Sequence, residues 1–497
     1  MTGAAVTGAA VSRDSVNLPY THVDDLFVDG EWVRAISDER IDVVDPATEE
    51  VWASVPDASA DDVDRAVDAA DRAFRGAGWS DLAPSVRAEY LLRLADEIDK
   101  RAEPLSWTNT RENGSPIAET GGAAANAASI LRYFASLASY LETPDVRPYP
   151  NRPGETEVHR DPIGVCALIA PWNFPINLVV AKLAPALIAG CTVVIKPAQT
   201  TPLSIRLVVD AAVAAGIPAG VVNLVTGAGR TGDLLVRHPK VRKVAFTGST
   251  AVGRRIAAAC GELLRAVTLE LGGKSSAIVL PDADLDAMSN VLIRSCLRNT
   301  GQTCYIATRI LAPAQRYDEV VEMVTRTVAA AKQGDPFDED TVFGPSATAA
   351  QHEIVLGFLE SARAEGARVT TGGARADTER GWFVEPTVLA DVTPDMRVAR
   401  EEIFGPVVTV TRYDTVDEAV ALANDTEFGL GGIVFGSDTE AAIAVARRVD
   451  SGSIGINSFA SNHSAPFGGR GDSGLGVEFG VEGLNAYLTP QSVHRAG

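Results

Sequence analysis

A chain of 497 residues with 46% hydrophobic and 22% charged side chains has the make-up of a large globular protein, and at about 150 residues per folding unit it holds roughly three of them. Its net charge of −21 excludes a nucleic-acid or anionic-membrane surface as the main partner, because phosphate binding needs a basic face. Five scattered cysteines (Cys166, Cys191, Cys260, Cys296 and Cys304) form no CxxC pair and no ligand spacing with the six histidines, so reduced thiols in a cytoplasmic protein, and no metal, are expected.

The first residues, MTGAAVTGAAVSRDS, lack a basic region followed by a long apolar core. They read as a poorly ordered tail over 1–20 and not as a signal peptide. No uncharged apolar run is long enough to span a bilayer. From Asp61 to Arg101 the pattern is helical, with Val63, Ala66, Val67, Ala70 and Phe74 on one stripe and Asp61 and Asp62 at its start. The Pro-rich polar stretch 143–162 reads as a linker or an extended arm.

Between Gly164 and Leu271 the apolar runs VCALIA (165–170), TVVIK (192–196), VVNLV (221–225), KVAF (243–246) and AVTLEL (266–271) alternate with helical patterns. Continuous Val/Ile/Leu strands separated by helices predict a parallel sheet covered on both faces, with ligands at the strands' carboxyl ends. A second alternating region begins with SAIVL (276–280) and a helix from Leu285 to Arg298. It continues through RILAP, a helix near 317–332, VVTVTRY (407–413) and the segments up to TEAAIAVARRV, which predicts a second α/β domain.

Several residues stand out for their chemistry. Cys304, in NTGQTCYIATR, lies just past a helix expected to end near Asn299 to Gly301, with the glycine as a left-handed cap. Alone it reads as an inert buried thiol. Glu270 ends an apolar strand before Gly272 and Gly273. Such a carboxylate is either ion-paired or a desolvated general base facing a cleft. Asn173, fixed between Pro171 and Pro175, is either a turn residue or an oxyanion donor. FTGSTAVG (246–253) runs strand, glycine turn, helix, a cradle for a pyrophosphate. GAGRTG (227–232) has the formal spacing of a dinucleotide fingerprint, yet no acidic residue follows about 20 positions on, so it reads better as a tight βα turn.

Taken together, PWNFP (171–175), KPA (196–198), FTGS (246–249), LELGGKS (269–275), GQTC (301–304), EEIFGP (401–406) and PFGG (466–469) resemble, in order, the motifs of the aldehyde dehydrogenase superfamily. The resemblance implies an α/β fold of three parts. These are a Rossmann-like cofactor domain (21–143 and 163–273), an α/β catalytic domain (274–475) and a small β oligomerisation arm (144–162 and 476–497). It implies Cys304 as nucleophile, Glu270 as base, Asn173 with the Cys304 N–H as oxyanion hole, and Lys182 as a support. For the cofactor it implies Ala170, Pro171, Trp172, Lys196, Gln199, Gly229, Phe246, Thr247, Gly248, Ser249, Gly253, Leu271, Gly272, Glu402 and Phe404. For the substrate it implies Phe174, Asn177, Ala181, Thr303, Tyr305 and Phe467, with the 459–465 loop, Asn462 and His463 at the entrance.

The implied reaction is oxidation of an aldehyde to the acid through a Cys304 thioester, in a homodimer or homotetramer. Gln199 stands where many NAD-preferring members carry Glu, so NAD is the expected cofactor and NADP stays open. Tyr305 and Ala181 depart from common family choices, and Ala181 suggests a wide entrance. The alternatives are a CoA-acylating aldehyde dehydrogenase, which Glu270 argues against, a non-redox thiol esterase, and a non-enzymatic binding protein.

Overall fold

A computed structural model of the chain describes Arg13 and residues 17–76 and 78–497. Most of the tail expected over 1–20 lies outside the described residues. The parts that are described are tied down. Arg13 ion-pairs with Asp45 and Asp335, and the Tyr20 hydroxyl donates to the Leu203 carbonyl at 2.9 Å, so the packed chain begins before residue 21.

The first sheet has eight strands. At its centre Val222–Leu224, Thr192–Lys196, Val165–Ile169, Val241–Thr247 and Ala266–Glu270 run parallel in that spatial order. The chain steps outward from Val165–Ile169 in one direction, then returns to lay Val241–Thr247 on its other side. Those two strands therefore flank the switch point, where a crevice opens at their carboxyl ends. Successive residues of Val165–Ile169 enter opposite cores: Cys166 and Leu168 pack with the helices Pro84–Asp99, Ala123–Ser136 and Pro175–Ala189, while Val165, Ala167 and Ile169 pack with Ala60–Arg75 and Thr250–Glu262. Burial on both faces is why these strands are apolar at every position.

The helical run expected from Asp61 to Arg101 is two helices, Ala60–Arg75 and Pro84–Asp99. Ser59 starts the first through a capping box with Asp62. Gly76 leaves it in an extended conformation, and Pro84 opens the second at a position where no N–H is needed.

The second sheet has seven strands, ordered Arg368–Thr371, Thr387–Ala390, Val407–Tyr413, Arg309–Pro313, Ser276–Val279, Gly432–Phe435 and Gly455–Ile456. All neighbours are parallel except the first pair. The stretch between 340 and 400, which carried no sequence assignment, supplies the helix Ala349–Ala364 and two of these strands.

A third, antiparallel sheet joins Asp145–Pro148, Gly154–Pro162 and Leu488–Ala496, the last two paired from Leu488 opposite Pro162 to Ala496 opposite Gly154. Within the expected arm segment 476–497, the strand itself begins at Leu488. Leu484 and Tyr487 are buried in the core of the first domain, and Gly480–Asn485 packs on Pro175–Ala189, because these apolar side chains have a covered face to fill.

Candidate active site

Cys304 is placed by an unusual exit from a helix. Leu285–Cys296 ends three residues earlier than the sequence suggests, and Asn299, Thr300 and Gly301 then all take left-handed backbone (φ 53°, 58° and 74°). A β-carbon at Gly301 would overlap the Gly405 carbonyl oxygen, so only glycine fits. This turn delivers a half-buried Cys304 to a cavity of about 370 Å³, while the other four cysteines are buried. Burial pushes the Cys304 thiol well above its ordinary range, and Glu402 and Glu270 add to the shift. The N–H groups of Cys304 and Tyr305 point at the sulfur and oppose it.

Glu270 ends its strand opposite Thr247 and lines the same cavity. Both of its carboxylate oxygens are buried without a hydrogen-bond partner among the described residues. Burial first, then the neighbouring Glu478, hold its carboxyl well above the usual range, and Lys182 pulls the other way. Lys182, fully buried, donates to Glu478 Oε1 at 2.7 Å and to Thr247 Oγ1 at 2.6 Å. The sequence marked Glu270 and Lys182; no motif marked Glu478, which arrives from near the C-terminus.

Asn173 sits on the turn after Val165–Ile169. Its Nδ2 donates to the Gln302 carbonyl at 2.9 Å, two residues before Cys304, and its Oδ1 is unpartnered. Two asparagines that the sequence did not single out hold this turn. Asn113 Nδ2 donates to the Trp172 and Asn173 carbonyls (2.6 and 3.2 Å), and Asn299 Nδ2 donates to the Asn173 carbonyl (3.0 Å). Asn299 in turn accepts from Ser115 Oγ at 2.6 Å. The amide and the sulfur are thereby fixed to one another through Gln302 and Asn299.

The two glycines of LELGGKS have separate reasons. A β-carbon on Gly272 would meet the Glu402 carboxylate, and one on Gly273 would overlap the Cys304 carbonyl. Gly273 N–H donates to Glu402 Oε1 at 3.0 Å, and burial pushes the Glu402 carboxyl up to about 7. Phe404 (φ 56°) meets the Trp172 ring edge-on at 5.3 Å.

The residues expected around a dinucleotide fit one. Ala170, Pro171 and Trp172 follow the carboxyl end of Val165–Ile169, and Lys196 ends Thr192–Lys196 with Gln199 exposed in the loop beyond. Lys196 is buried and its ammonium, lowered to about 8 by that burial, has among the described residues only the Pro197 carbonyl as a hydrogen-bond acceptor. Phe246, Thr247 and Gly248 lead to Ser249, the N-cap of Thr250–Glu262, whose side chain makes no capping bond and is free for a ligand. Gly253 is needed where Leu271 crosses the helix. GAGRTG opens the helix Gly229–Arg237; a β-carbon at Gly229 would meet nothing, and one at Gly232 would lie 3.6 Å from the Lys196 methylenes.

Of the expected substrate residues, Phe174, Asn177, Thr303, Tyr305 and Phe467 line the cavity, as do Phe459, Ala460, Ser461 and His463 of the 459–465 loop. Ala181 is 2% exposed and is not on the wall, which passes through Ile176, Asn177 and Leu178; its methyl is too short to reach the lumen. Asn462 is off the wall too, its side chain accepting from Ser464 N–H and Oγ. Tyr305 stacks on Phe459 at 4.7 Å and meets Phe467 edge-on at 6.2 Å. Its hydroxyl accepts from Arg298 (2.6 Å), which also ion-pairs with Glu119 and lies over the Phe174 ring at 5.0 Å. Among the described residues no group of three or more potential metal ligands occurs, and no helix is long and apolar enough to cross a membrane.

The family model described as "Aldehyde dehydrogenase family" matches residues 32–493. Geranial dehydrogenase of Castellaniella defragrans is 48% identical over 473 residues, covering 95% of this chain and 98% of the relative. A crystal structure of a mutant aldehyde dehydrogenase C of Pseudomonas syringae with NAD+ and octanal is 42% identical, with a TM-score of 0.91 and coverage of 95% of this chain and 96% of that one. The Mycobacterium tuberculosis aldehyde dehydrogenase in complex with NAD+ is 39% identical, with a TM-score of 0.92 and coverage of 95% and 97%. With Cys304, Glu270 and Asn173 gathered on one cavity and likeness along almost the whole length, this chain belongs to the aldehyde dehydrogenase family.

Proposed function

We propose that this protein uses NAD+ to oxidise an uncharged aldehyde to its carboxylic acid through a thioester on Cys304. The observation that carries the reading is the convergence of Cys304, Glu270 and Asn173 on one cavity, with both Glu270 oxygens unpartnered. The sulfur bonds to the aldehyde carbon, and its proton leaves to a buried base. Asn173 Nδ2 and the Cys304 N–H hold the oxygen; one such donor is worth about 10²–10³ in rate. Bound NAD+ supplies the hydride acceptor. Glu270 then takes a proton from water, which displaces the acid from sulfur. The net change is aldehyde, NAD+ and water to acid, NADH and a proton.

For the dinucleotide, Lys196 and Glu402 would hold the two riboses, and Gly248, Ser249 and the start of Thr250–Glu262 would receive the pyrophosphate. The NAD+ complexes of similar structures support that choice, and Gln199 leaves room for NADP+. The octanal complex and the geranial-oxidising relative support a medium-length, largely apolar aldehyde. Glu119 and Glu478, the wall carboxylates besides Glu270, are ion-paired with Arg298 and Lys182, which disfavours a cationic aminoaldehyde. Unpaired edges and the exposed Val146 and Val493 support the three-stranded arm as a contact between subunits of a homo-oligomer. The free thiols support a reducing compartment, the cytoplasm.

The test is NADH and NADPH formation over an aldehyde panel. Cys304→Ala is expected to abolish it; turnover near the wild-type rate rejects the covalent route.

A further inference from the structure

The cavity wall holds two amides with nothing to bond. Asn109, on the helix Ala102–Asn113, is 4% exposed, and its Oδ1 is buried without a partner. Asn177, on Pro175–Ala189, is half-buried, and its Oδ1 is likewise buried and unpartnered. Neither side chain hydrogen-bonds to any described residue, and both line the cavity that receives Cys304.

The other buried polar groups on that wall are satisfied by the protein, apart from the reacting Asn173 and Glu270. Thr120 Oγ1 bonds Ser106 and Thr110 (3.0 and 2.7 Å), and Ser115 Oγ donates to Asn299. Thr303 Oγ1 donates to the Arg298 carbonyl at 3.0 Å. The Tyr305 hydroxyl and Glu119 are both taken up by Arg298. Asn126 and Ser461 also face the cavity, but they are exposed and keep their water. The two free amides therefore stand apart from the aromatic and aliphatic side chains that line much of the rest of the wall.

Resting on the reading above, we propose that Asn109 and Asn177 form a hydrogen-bonding subsite for an uncharged hydroxyl on the aldehyde substrate. A hydroxyl donates and accepts, and so matches a carboxamide, which does both. For an ammonium, the wall carboxylates other than the reacting Glu270 are already ion-paired, Glu119 with Arg298 and Glu478 with Lys182, and the exposed Arg294 at the cavity adds positive charge. A hydrocarbon chain filling the same space strips water from both amides and returns nothing. Leaving one buried amide unpaired is worth about five- to a hundredfold in specificity.

The experiment compares kcat/KM for n-alkanals, ω-hydroxyalkanals and ω-aminoalkanals of matched chain length, in the wild type and in Asn109→Leu and Asn177→Leu. Wild type is expected to prefer the hydroxyaldehyde by about tenfold or more at the chain lengths that reach the amides. Each leucine variant is expected to lose or invert that preference. The subsite is overturned if wild type shows no hydroxyl preference at any length, if the aminoaldehydes win, or if both variants keep the preference. Should Asn109→Leu fail to fold, the half-buried Asn177 variant and the wild-type ratio still decide. Turnover of n-alkanals without a hydroxyl preference sinks only the subsite, whereas no NADH from any series sinks aldehyde oxidation itself.

Discussion

Replacing Lys182 by Met tests the charge balance beside Glu270. Lys182 is fully buried and is the ion-pair partner of Glu478, itself 6% exposed. Removing the ammonium strands a buried carboxylate at Glu478, at a cost of about 3–5 kcal/mol. Lys182→Met should therefore shift the urea midpoint strongly downward, measured at fixed protein concentration because subunit contacts make stability concentration-dependent. Adding Glu478→Gln should recover most of the loss, since a neutral pair carries no stranded charge.

The single Glu478→Gln change has a separate kinetic signature. It removes the like charge that raises Glu270 and keeps the lysine that lowers it, so the Glu270 carboxyl falls towards its ordinary range. A base works when ionised, so the acid limb of acyl-enzyme hydrolysis should move to lower pH. A Lys182→Met midpoint within error of wild type, or an acid limb that moves to higher pH in Glu478→Gln, refutes the reasoning.

Glu270→Gln should preserve most of a pre-steady-state NADH burst and slow the steady state; an equal fall in both reassigns the residue. Gly301→Ala meets a left-handed backbone and the Gly405 carbonyl together, so a loss of about 2–5 kcal/mol is expected by denaturant titration. An unchanged midpoint would mean that the turn relaxes freely. Gln199→Glu should raise the NADH-to-NADPH product ratio by about fivefold or more, from about 1 kcal/mol or more of repulsion of a 2′-phosphate; no change places Gln199 away from the ribose.

The strands flanking the crevice were legible because burial on both faces forces every residue of Val165–Ile169 and Thr192–Lys196 to be apolar. The break between Ala60–Arg75 and Pro84–Asp99 was in the sequence as Gly76 and Pro84, but the amphipathic stripe on either side masked it. The short strands Asp25–Val28 and Glu31–Arg34 carry too few residues for a period to show. Asn113 and Asn299 act through single long-range bonds to backbone carbonyls, for which no local pattern exists. Ala181 was expected at the entrance because the resemblance puts a bulky aromatic at its position in several members, but reach into a lumen depends on side-chain length as well as position.

Local chemistry set what lay within one or two turns of chain: the alternating α/β plan, the glycines that let backbone or ligand approach, and a cysteine, glutamate and asparagine each of a reactive type. Their partners were settled by the folded chain. Glu478 reaches Lys182 across 296 residues and Asn299 reaches Asn173 across 126, and neither pairing leaves a periodicity in the sequence. Burial, which raises the Glu270 and Cys304 pKa values and strands two amides in the cavity, is a property of surroundings that exist only once distant segments have packed together.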